Sequence, residues 1–486
     1  MTQWERRCAP IAFVGRGVGD SWLRAGLGER MRSWLPVLTL VACSGGEDDS
    51  APPVLSELCP AEPAVQSVDL SPRTNLLILS IDTLRRDAVG RYGGGTATPF
   101  LDGLASGSLV LDDHASGASW TLPSMMCALA GRCGEDMGVI PHPDGGLDAE
   151  DALPEGEPDL WTWLVAEGFA TAVVTPSPML LEVQGMSRDA AEVHYDRSAI
   201  AEVIAGTGLE VIERLDAGTA RWAVQVHFID PHSPYTPPQP YLTGLADLEP
   251  LEWDLDSGQS AWVDLAKAYP SLDAGYQALV REHVGVRYAG EVRYLDDQLA
   301  LLWAALEDRG LLDDTVVLLF SDHGEQLWDH GLWHHNKSLH PEEREALALL
   351  WTPDVTPQAY PTPTHHRDLL PTVFGVLGVP VPSVVTGTPL GQAPPVTRSA
   401  IIRPDGYAPI QVVDYRCLTL HYRWAGFAEL YRRDTDPLEL EDLSGQEWPT
   451  VQAMMALLAE ETELAGTLID THRPKSPSRY ASEHGE

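Results

Sequence analysis

The feature that most limits the fold of this chain is a set of three mainly apolar runs, each followed by residues that can bind a metal. The runs are residues 75–81, 222–229 and 315–320. Such near-continuous apolar runs are typical of strands that are buried on both faces of a parallel sheet. Open α/β sheets bind their ligands at the carboxyl ends of the strands. The pattern therefore predicts an α/β domain with a site at one edge of the sheet.

Acidic residues and histidines follow these runs. They are Asp82 after the first run, Asp230 and His232 after the second, and Asp322 and His323 after the third. Carboxylate oxygens and imidazole nitrogens are common ligands of divalent metals. An Asp or a Gly after a strand often only forms a turn, but turns do not readily explain three strands that end in this way. Asp82, Asp322 and His323 are therefore candidate metal ligands.

A helix is predicted between the first two runs, in residues 119–131. Pro123 suits the first helical position and Gly131 suits the helix end, so Thr121 should lie just ahead of the helix N-terminus. Free backbone N–H groups and the helix dipole favour an anion there. A hydroxyl group in that place can attack a phosphate or sulfate centre when a metal lowers its pKa. The alternative is that Thr121 only caps the helix.

Together these segments resemble the sulfatase family, within the alkaline phosphatase superfamily of hydrolases. The resemblance covers residues 75–443, and it is carried by seven segments in the family's order: residues 75–82, 98–105, 119–131, 227–238, 288–302, 368–372 and 429–439. It implies a three-layer α/β/α domain with a smaller C-terminal α+β unit. It also implies a hydrolase that acts on sulfuric or phosphoric ester bonds.

The nucleophile segment departs from that family. Sulfatases of the usual kind carry Cys-x-Pro-x-Arg or Ser-x-Pro-x-Arg, whose first residue is oxidised to formylglycine, whereas this chain has Thr121 first and Met125 last. Threonine cannot become formylglycine, and in this place it resembles relatives that move phosphoryl groups, such as phosphodiesterases. We therefore expect a Thr nucleophile and a phosphate mono- or diester before a sulfate ester. The alternatives are an inactive cell-surface protein that binds anionic glycans or lipid head groups, or a phosphoryl-group transferase.

The residues at the metal-ligand positions also differ from those of the family. Thr83 replaces the second Asp of the family's Asp-Asp pair, and His323 replaces an Asn. Because the site has one carboxylate fewer and one imidazole more, it favours Mn²⁺ or Zn²⁺, and Ca²⁺ is the alternative. We expect one or two divalent ions, held by Asp82, Asp322, His323 and the Thr121 hydroxyl.

Other residues are predicted to contact the ester. His232 and Lys337 are expected to steady the ester oxygens or the leaving group beside Thr121, and His330, His334, His335 and Arg85 to bind the substrate. A group of cationic or titratable side chains suits an anion pocket. Alternatively, residues 329–337 form a solvated surface loop, Arg85 is only solvated, and His232 has a structural role.

The net charge of −39 disfavours nucleic acid as a partner. The expected partner is a small or polymer-borne anionic ester, and the oligomeric state is not predicted. Residues 244–271 are acidic with several aromatic residues, and we interpret them as an insertion near the mouth of the site.

The N-terminus predicts export. Residues 31–43 resemble a bacterial lipoprotein signal, with lipidation at Cys43 and an anchor on the periplasmic side or the cell surface, and the apolar run is too short to span a bilayer. The predicted layout is an upstream extension outside the native start (1–30), the signal (31–43), a flexible tether (44–70), the catalytic domain (71–395), the C-terminal unit (396–472) and a polar tail (473–486).

In an oxidising compartment the last four cysteines can pair in three ways: Cys59, Cys127, Cys133 and Cys417.

Overall fold

The computed structural model describes residues 8–10, 41–43, 54–60, 68, 70–137, 152–392, 396–401, 410–423 and 427–461. Most of the predicted extension, signal and tether, and all of the polar tail, lie outside these residues. Two short strands near the N-terminus pair antiparallel, and the second ends at Cys43. Within the described part of the chain, no helix is both long and apolar enough to cross a bilayer.

The described strands form one large sheet and several small ones. In chain order the strands are β1 (Cys8–Pro10), β2 (Val41–Cys43), β3 (Asn75–Ile81), β4 (Leu109–Leu111), β5 (His114–Ala115), β6 (Ala170–Thr175), β7 (Glu192–Tyr195), β8 (Trp222–Phe228), β9 (Thr315–Ser321), β10 (Gln326–Leu327), β11 (Trp333–His334), β12 (Ala348–Trp351), β13 (Gln358–Tyr360), β14 (Thr364–His365), β15 (Val396–Ile401), β16 (Ile410–Tyr415), β17 (Leu418–Arg423) and β18 (Phe427–Arg432). 

The described α-helices lie between these strands and around them. They are α1 (Leu55–Leu58), α2 (Pro99–Ser106), α3 (Thr121–Ala130), α4 (Leu160–Ala166), α5 (Ala201–Asp216), α6 (Gln259–Ala268), α7 (Ala274–Asp308), α8 (Pro341–Arg344), α9 (His366–Leu377) and α10 (Trp448–Glu461). 

The large sheet has eight strands in the order β13-β4-β12-β9-β3-β8-β6-β7. Only β12 runs antiparallel to its neighbours; the other pairs are parallel. The strands β3, β8 and β9 begin at Asn75, Trp222 and Thr315, where the three apolar runs begin. The three runs that end in metal-binding residue types are the central strands β9, β3 and β8.

Helices cover both faces of this sheet, which makes the three-layer α/β/α domain that was predicted. Alternate residues of β3 enter different cores: Leu77 and Leu79 pack with residues of α2, α5 and α7. Leu76 and Ile78 pack on the opposite face with residues of α3, α4 and α9. Burial of each such side chain stabilises the fold by about 1.5–3 kcal/mol, so the doubly buried strands fix the sheet edge on which the site is built.

The acidic insertion, residues 244–271, packs beside the segment that follows β10. Trp262 of α6 stacks on Trp333 with ring centroids 6.3 Å apart, and Tyr269 stacks on Trp328 at 4.3 Å. All four rings are buried. The insertion therefore supports the backbone on either side of the predicted substrate-binding histidines.

The C-terminal unit is a four-stranded antiparallel sheet, β15 to β18, covered by α10. It begins at Val396. Residues 54–60 belong to this unit rather than to the flexible tether in which they were predicted, because Leu55 and Leu58 pack on its core and Cys59 forms a disulfide with Cys417. 

The second disulfide joins Cys127 of α3 to Cys133 just after that helix. Of the three pairings that the sequence allows for the last four cysteines, the structure therefore contains the one that links Cys59 to Cys417 and Cys127 to Cys133.

Candidate active site

The two aspartates at the ends of β3 and β9 meet at one sheet edge. Ile81 pairs with Phe228 on one side and with Ser321 on the other, so the three strands end at the same level. Asp82 and Asp322, which follow β3 and β9, are both buried. The carboxylate of Asp322 accepts hydrogen bonds from the backbone N–H groups of Thr83 (3.1 Å) and His323 (2.7 Å), which fixes its orientation.

Thr121 lies beside this pair. Its Oγ1 is 3.4 Å from Asp82 Oδ2. Helix α3 begins at Thr121, and Trp120 is the N-cap residue, so the helix starts two residues earlier than the position of Pro123 predicted. Proline is tolerated at the third position because the first four N–H groups of a helix have no partner within it. Thr121 is thus not the capping residue, and its hydroxyl faces Asp82.

Asp82, Asp322 and His323 form a group whose ligand atoms all lie within 4.8 Å of one another. His323 Nε2 is 3.8 Å from Asp82 Oδ1 and 3.6 Å from Asp322 Oδ2. These three atoms are buried and have no hydrogen-bond partner among the described residues. Leaving a buried polar atom unpaired costs about 1–3 kcal/mol, and a divalent cation would satisfy all three. The residues present therefore fit the predicted metal.

The protonation of the two carboxyl groups supports this fit. Burial acts to raise the pKa of Asp82, but the nearby imidazoles of His227, His232 and His323 outweigh it and hold that pKa well below its ordinary value. For Asp322, burial and then the negative charge of Asp82 raise the pKa well above its ordinary value. Burial also lowers the pKa of His323, which keeps its imidazole neutral. Two buried carboxylates side by side repel each other unless a cation lies between them.

His227 is a site residue that the sequence analysis did not propose. Its Nε2 is 3.6 Å from Asp82 Oδ2, and its Nδ1 bonds with Ser80 Oγ at 2.9 Å. Gln225 Nε2 in turn donates to Ser80 Oγ at 2.9 Å. The missed signal is that Ser80, Gln225 and His227 are polar residues inside otherwise apolar buried strands, and that Ser80 and His227 are paired in register.

The structure brings His232, His334 and His335 together next to the aspartates. Their ligand nitrogens lie within 4.8 Å of one another, and the rings of His323 and His335 are 4.6 Å apart between centroids. His335 Nδ1 bonds with the buried Glu325 at 2.9 Å. Burial, followed by the neighbouring His323 and His232, lowers the pKa of His335 well below its ordinary value, and burial and His335 do the same for His334.

The remaining predicted residues have other partners. Lys337 Nζ donates to Trp333 O at 2.7 Å, in the same segment as the histidines. Arg85 bonds with Asp329 at 2.6 Å and pairs with Asp87 at 2.7 Å. His330 Nδ1 is 3.2 Å from Glu342 Oε2, and its ring stacks on His340 at 3.8 Å. Carboxylates thus engage both Arg85 and His330, and the roles of these two residues in substrate binding stay predictions.

Comparison with known proteins gives a consistent result. The sequence model of the family described as Sulfatase matches residues 74–379. Choline-sulfatase of Rhizobium meliloti (strain 1021) is 25% identical over 248 residues, which cover 48% of this chain and 48% of that protein. The chain thus aligns with about half the length of that relative.

Solved structures share the fold. The structure of BT4656 in complex with its substrate D-glucosamine-2-N,6-O-disulfate has a TM-score of 0.67 at 17% identity, over 81% of this chain and 98% of that one. The phosphonate monoester hydrolase of Agrobacterium radiobacter has a TM-score of 0.62 at 17% identity, over 81% and 97%. At these identities the likeness establishes the fold, and the chemistry has to be argued from the site.

Proposed function

Because this chain belongs to the sulfatase family, we propose that it is a metal-dependent hydrolase of phosphate or sulfate esters with Thr121 as its nucleophile. The observation that carries the proposal is the position of the Thr121 hydroxyl. It lies at the N-terminus of α3, 3.4 Å from Asp82. Asp82, Asp322 and His323 each present a buried ligand atom without a partner in the described chain.

These residues would hold the metal and prepare the nucleophile. Asp82, Asp322, His323 and the Thr121 hydroxyl provide three kinds of oxygen or nitrogen donor, which suit Mn²⁺ or Zn²⁺. When bound, the cation would lower the pKa of the hydroxyl and neutralise charge on the ester. 

The chain's own groups supply the rest of the chemistry. The Thr121 hydroxyl gives its proton to solvent, its oxygen forms a bond to phosphorus or sulfur, and the bond from that atom to the alcohol oxygen breaks. The departing alcohol takes a proton, for which His232 and Lys337 are the proposed sources. Water then cleaves the Thr121 ester and restores the hydroxyl, which releases phosphate or sulfate from a monoester and a phosphate monoester from a diester. The free N–H groups at the start of α3 favour the anionic group during both steps.

Phosphoesters are the proposed class before sulfate esters. Threonine cannot be converted to formylglycine, and the residue in the place of the motif arginine is Met125, which is fully buried in the core. No arginine from this motif can therefore reach a sulfate. The structural likeness to a phosphonate monoester hydrolase shows that the same fold can hold a phosphorus centre.

The rival proposal is a binding protein without turnover. It is favoured by Met125 and by Thr83, which remove a cation and a carboxylate from the family's usual set. The metal-stripped and reloaded chain can be tested against aryl phosphate mono- and diesters, phosphonates and sulfates. Metal-dependent turnover of any of them rejects the binding protein, and a marked preference for sulfates contradicts the proposed substrate class.

The first prediction concerns Thr121 itself. Replacement of Thr121 by Ala should lower kcat by at least about 10³-fold, since the nucleophile acts as a unit with its activating groups. Thr121→Ser is the matched control, because it keeps the hydroxyl, and it should retain measurable turnover. Steady-state kinetics of both metal-loaded variants on the best substrate of the panel provide the measurement. Unchanged turnover by Thr121→Ala would show that another group attacks.

A further inference from the structure

We propose that His232, His334 and His335 bind a second divalent cation, of the class that prefers imidazole ligands, with Zn²⁺ as the representative. The inference deepens the proposed function, on which it rests for the nature of the substrate. Its first support is geometric: one ligand nitrogen from each of the three residues lies within 4.8 Å of the others. Three imidazoles are a ligand set that suits Zn²⁺ far better than Ca²⁺ or Mg²⁺.

The second support is the way in which two of the rings are oriented. His335 Nδ1 bonds with Glu325 Oε1 at 2.9 Å, and Glu325 is fully buried. His232 Nδ1 lies 2.5 Å from the carbonyl oxygen of Ser233. A metal-binding histidine usually donates its other ring N–H to a carboxylate or a backbone carbonyl, which fixes the tautomer and the direction of the ring. In both residues Nε2 is the remaining nitrogen and can bind a cation.

The third support is the backbone of His334. Its φ of 70° lies in the left-handed region, which costs a residue other than glycine about 1–3 kcal/mol unless the surroundings impose it. The pairing of His334 with Gln326 and the stacking of Trp333 on Trp262 hold this conformation. A strained residue that is firmly held beside other ligands is typical of a functional site.

The surroundings suit a catalytic rather than a structural cation. Three protein ligands leave a position open for water or a substrate oxygen. The three histidines are only partly buried, so solvent and an ester can reach them. The cluster adjoins the first metal group through the His323 and His335 rings, 4.6 Å apart. A second cation there would neutralise further charge on the bound ester. It would also occupy His232 Nε2, which leaves Lys337 as the proton source of the two proposed ones.

Another group of ligand types, His340, His421 and Glu439, does not support the same proposal. Their atoms also lie within 4.8 Å of one another, but they already bond with each other: His340 Nδ1 and His421 Nε2 lie 3.0 and 2.8 Å from the same oxygen of Glu439. Arg344 donates to the other oxygen at 2.8 Å. The guanidinium already supplies the positive charge, so this group forms a closed ionic network.

The second prediction is a metal stoichiometry. The tag-free full chain is stripped by chelation, loaded with Zn²⁺ or with Mg²⁺, freed of unbound metal by gel filtration and analysed for metal content. We expect two Zn²⁺ per chain and one Mg²⁺. His334→Ala and His232→Gln should each bind one Zn²⁺ and still one Mg²⁺, whereas Asp322→Asn should lose the Mg²⁺. Circular dichroism checks that each variant is folded.

The matched control is His330→Ala, which removes a histidine from the same segment whose contacts are with Glu342 and His340. It should keep two Zn²⁺. One Zn²⁺ in the unchanged chain, or two in both His334→Ala and His232→Gln, would overturn the second site. Because no substrate is present, the result is independent of turnover. A chain that binds two Zn²⁺ but cleaves no ester would reject the proposed hydrolase and leave the second site standing.

Discussion

Thr83 has a strained backbone conformation next to the candidate site. It directly follows Asp82 and has a φ of 54°, a conformation that a β-branched residue rarely adopts. Its N–H donates to Asp322, and its carbonyl oxygen accepts from the hydroxyl of Tyr288 at 2.8 Å. The strain, on the order of 1–3 kcal/mol, is tolerated because this turn links the two strand ends that carry the predicted metal ligands.

The sequence could locate Asp82, Asp322, His323 and Thr121 because each lies at the end of an element, where its side chain must face the sheet edge. His227 could not be found in this way, since it lies within a strand and its role depends on which strand pairs with which. Asp329, a partner of Arg85, and Glu342, a partner of His330, come from segments that only the folded chain brings close. For these residues the fold, and not the local pattern, decides the contact.

The third prediction concerns His227. Replacement by Gln removes the ring nitrogen that faces Asp82 and the bond with Ser80. Groups that orient metal ligands typically contribute 10–100-fold to metal affinity, so we expect the dissociation constant for Mn²⁺ to rise by about that factor. Competition with a chelating dye provides the measurement. His194→Gln, at a partly exposed position on the edge strand β7, is the control, and an equal effect of both variants would reject a positioning role.

At the scale of elements, the long and strongly apolar strands could be predicted and the short ones could not. β4 and β13 contain three residues each, and β7 alternates between partly buried and exposed residues. Such segments carry too little local signal, and they become strands because the neighbouring strand offers free hydrogen-bonding groups. The 35-residue helix α7, by contrast, contains the segment that resembles the family's long helix before the metal-binding strand.

The fourth prediction concerns the cap of α4. Asp159 accepts from the N–H of Thr162, and burial raises its pKa to about 7. A carboxyl group whose pKa is raised on folding stabilises the fold below its unfolded pKa, and that stability is lost as the pH rises through the folded value. Asn is a similar cap without a charge. Asp159→Asn should therefore be more stable than the unchanged chain, by roughly 1–4 kcal/mol at pH 8.

The advantage of Asp159→Asn should shrink as the pH falls from 7 towards 4, which urea unfolding at several pH values can measure. Asp273→Asn, at the N-cap of α7, is the matched control because it makes the same substitution at a carboxyl group that is exposed to water. A constant difference between Asp159→Asn and the unchanged chain across this range would contradict the prediction.

At the scale of the whole molecule, the C-terminal unit is joined to the catalytic domain by buried charges. Arg344 of the catalytic domain pairs with Asp414 at 3.2 Å and with Glu439 at 2.8 Å. Removal of one partner from such a buried network typically costs about 3–5 kcal/mol. The sequence indicated two units with the boundary near residue 395, but the partners of these charges depend on the packing of one unit on the other.

The two disulfides also depend on how the whole chain folds. Cys59 and Cys417 are 358 residues apart, so the correct pairing depended on the complete fold and was open from sequence alone. Disulfides are typical of oxidising compartments, and export of the chain stays a prediction. The lipid anchor at Cys43 stays a prediction, and mass spectrometry of the mature N-terminus in the native host can test it.

The role of Thr121 as the nucleophile is tested most directly by capture of the covalent intermediate. The metal-loaded chain is mixed with its best aryl phosphate substrate, quenched in acid within milliseconds, digested and analysed by mass spectrometry. We expect a phosphoryl group on Thr121 in the metal-loaded unchanged chain and none without metal. A burst of phenol equal to the enzyme concentration without any modified Thr121, or a phosphoryl group on another residue, would contradict it.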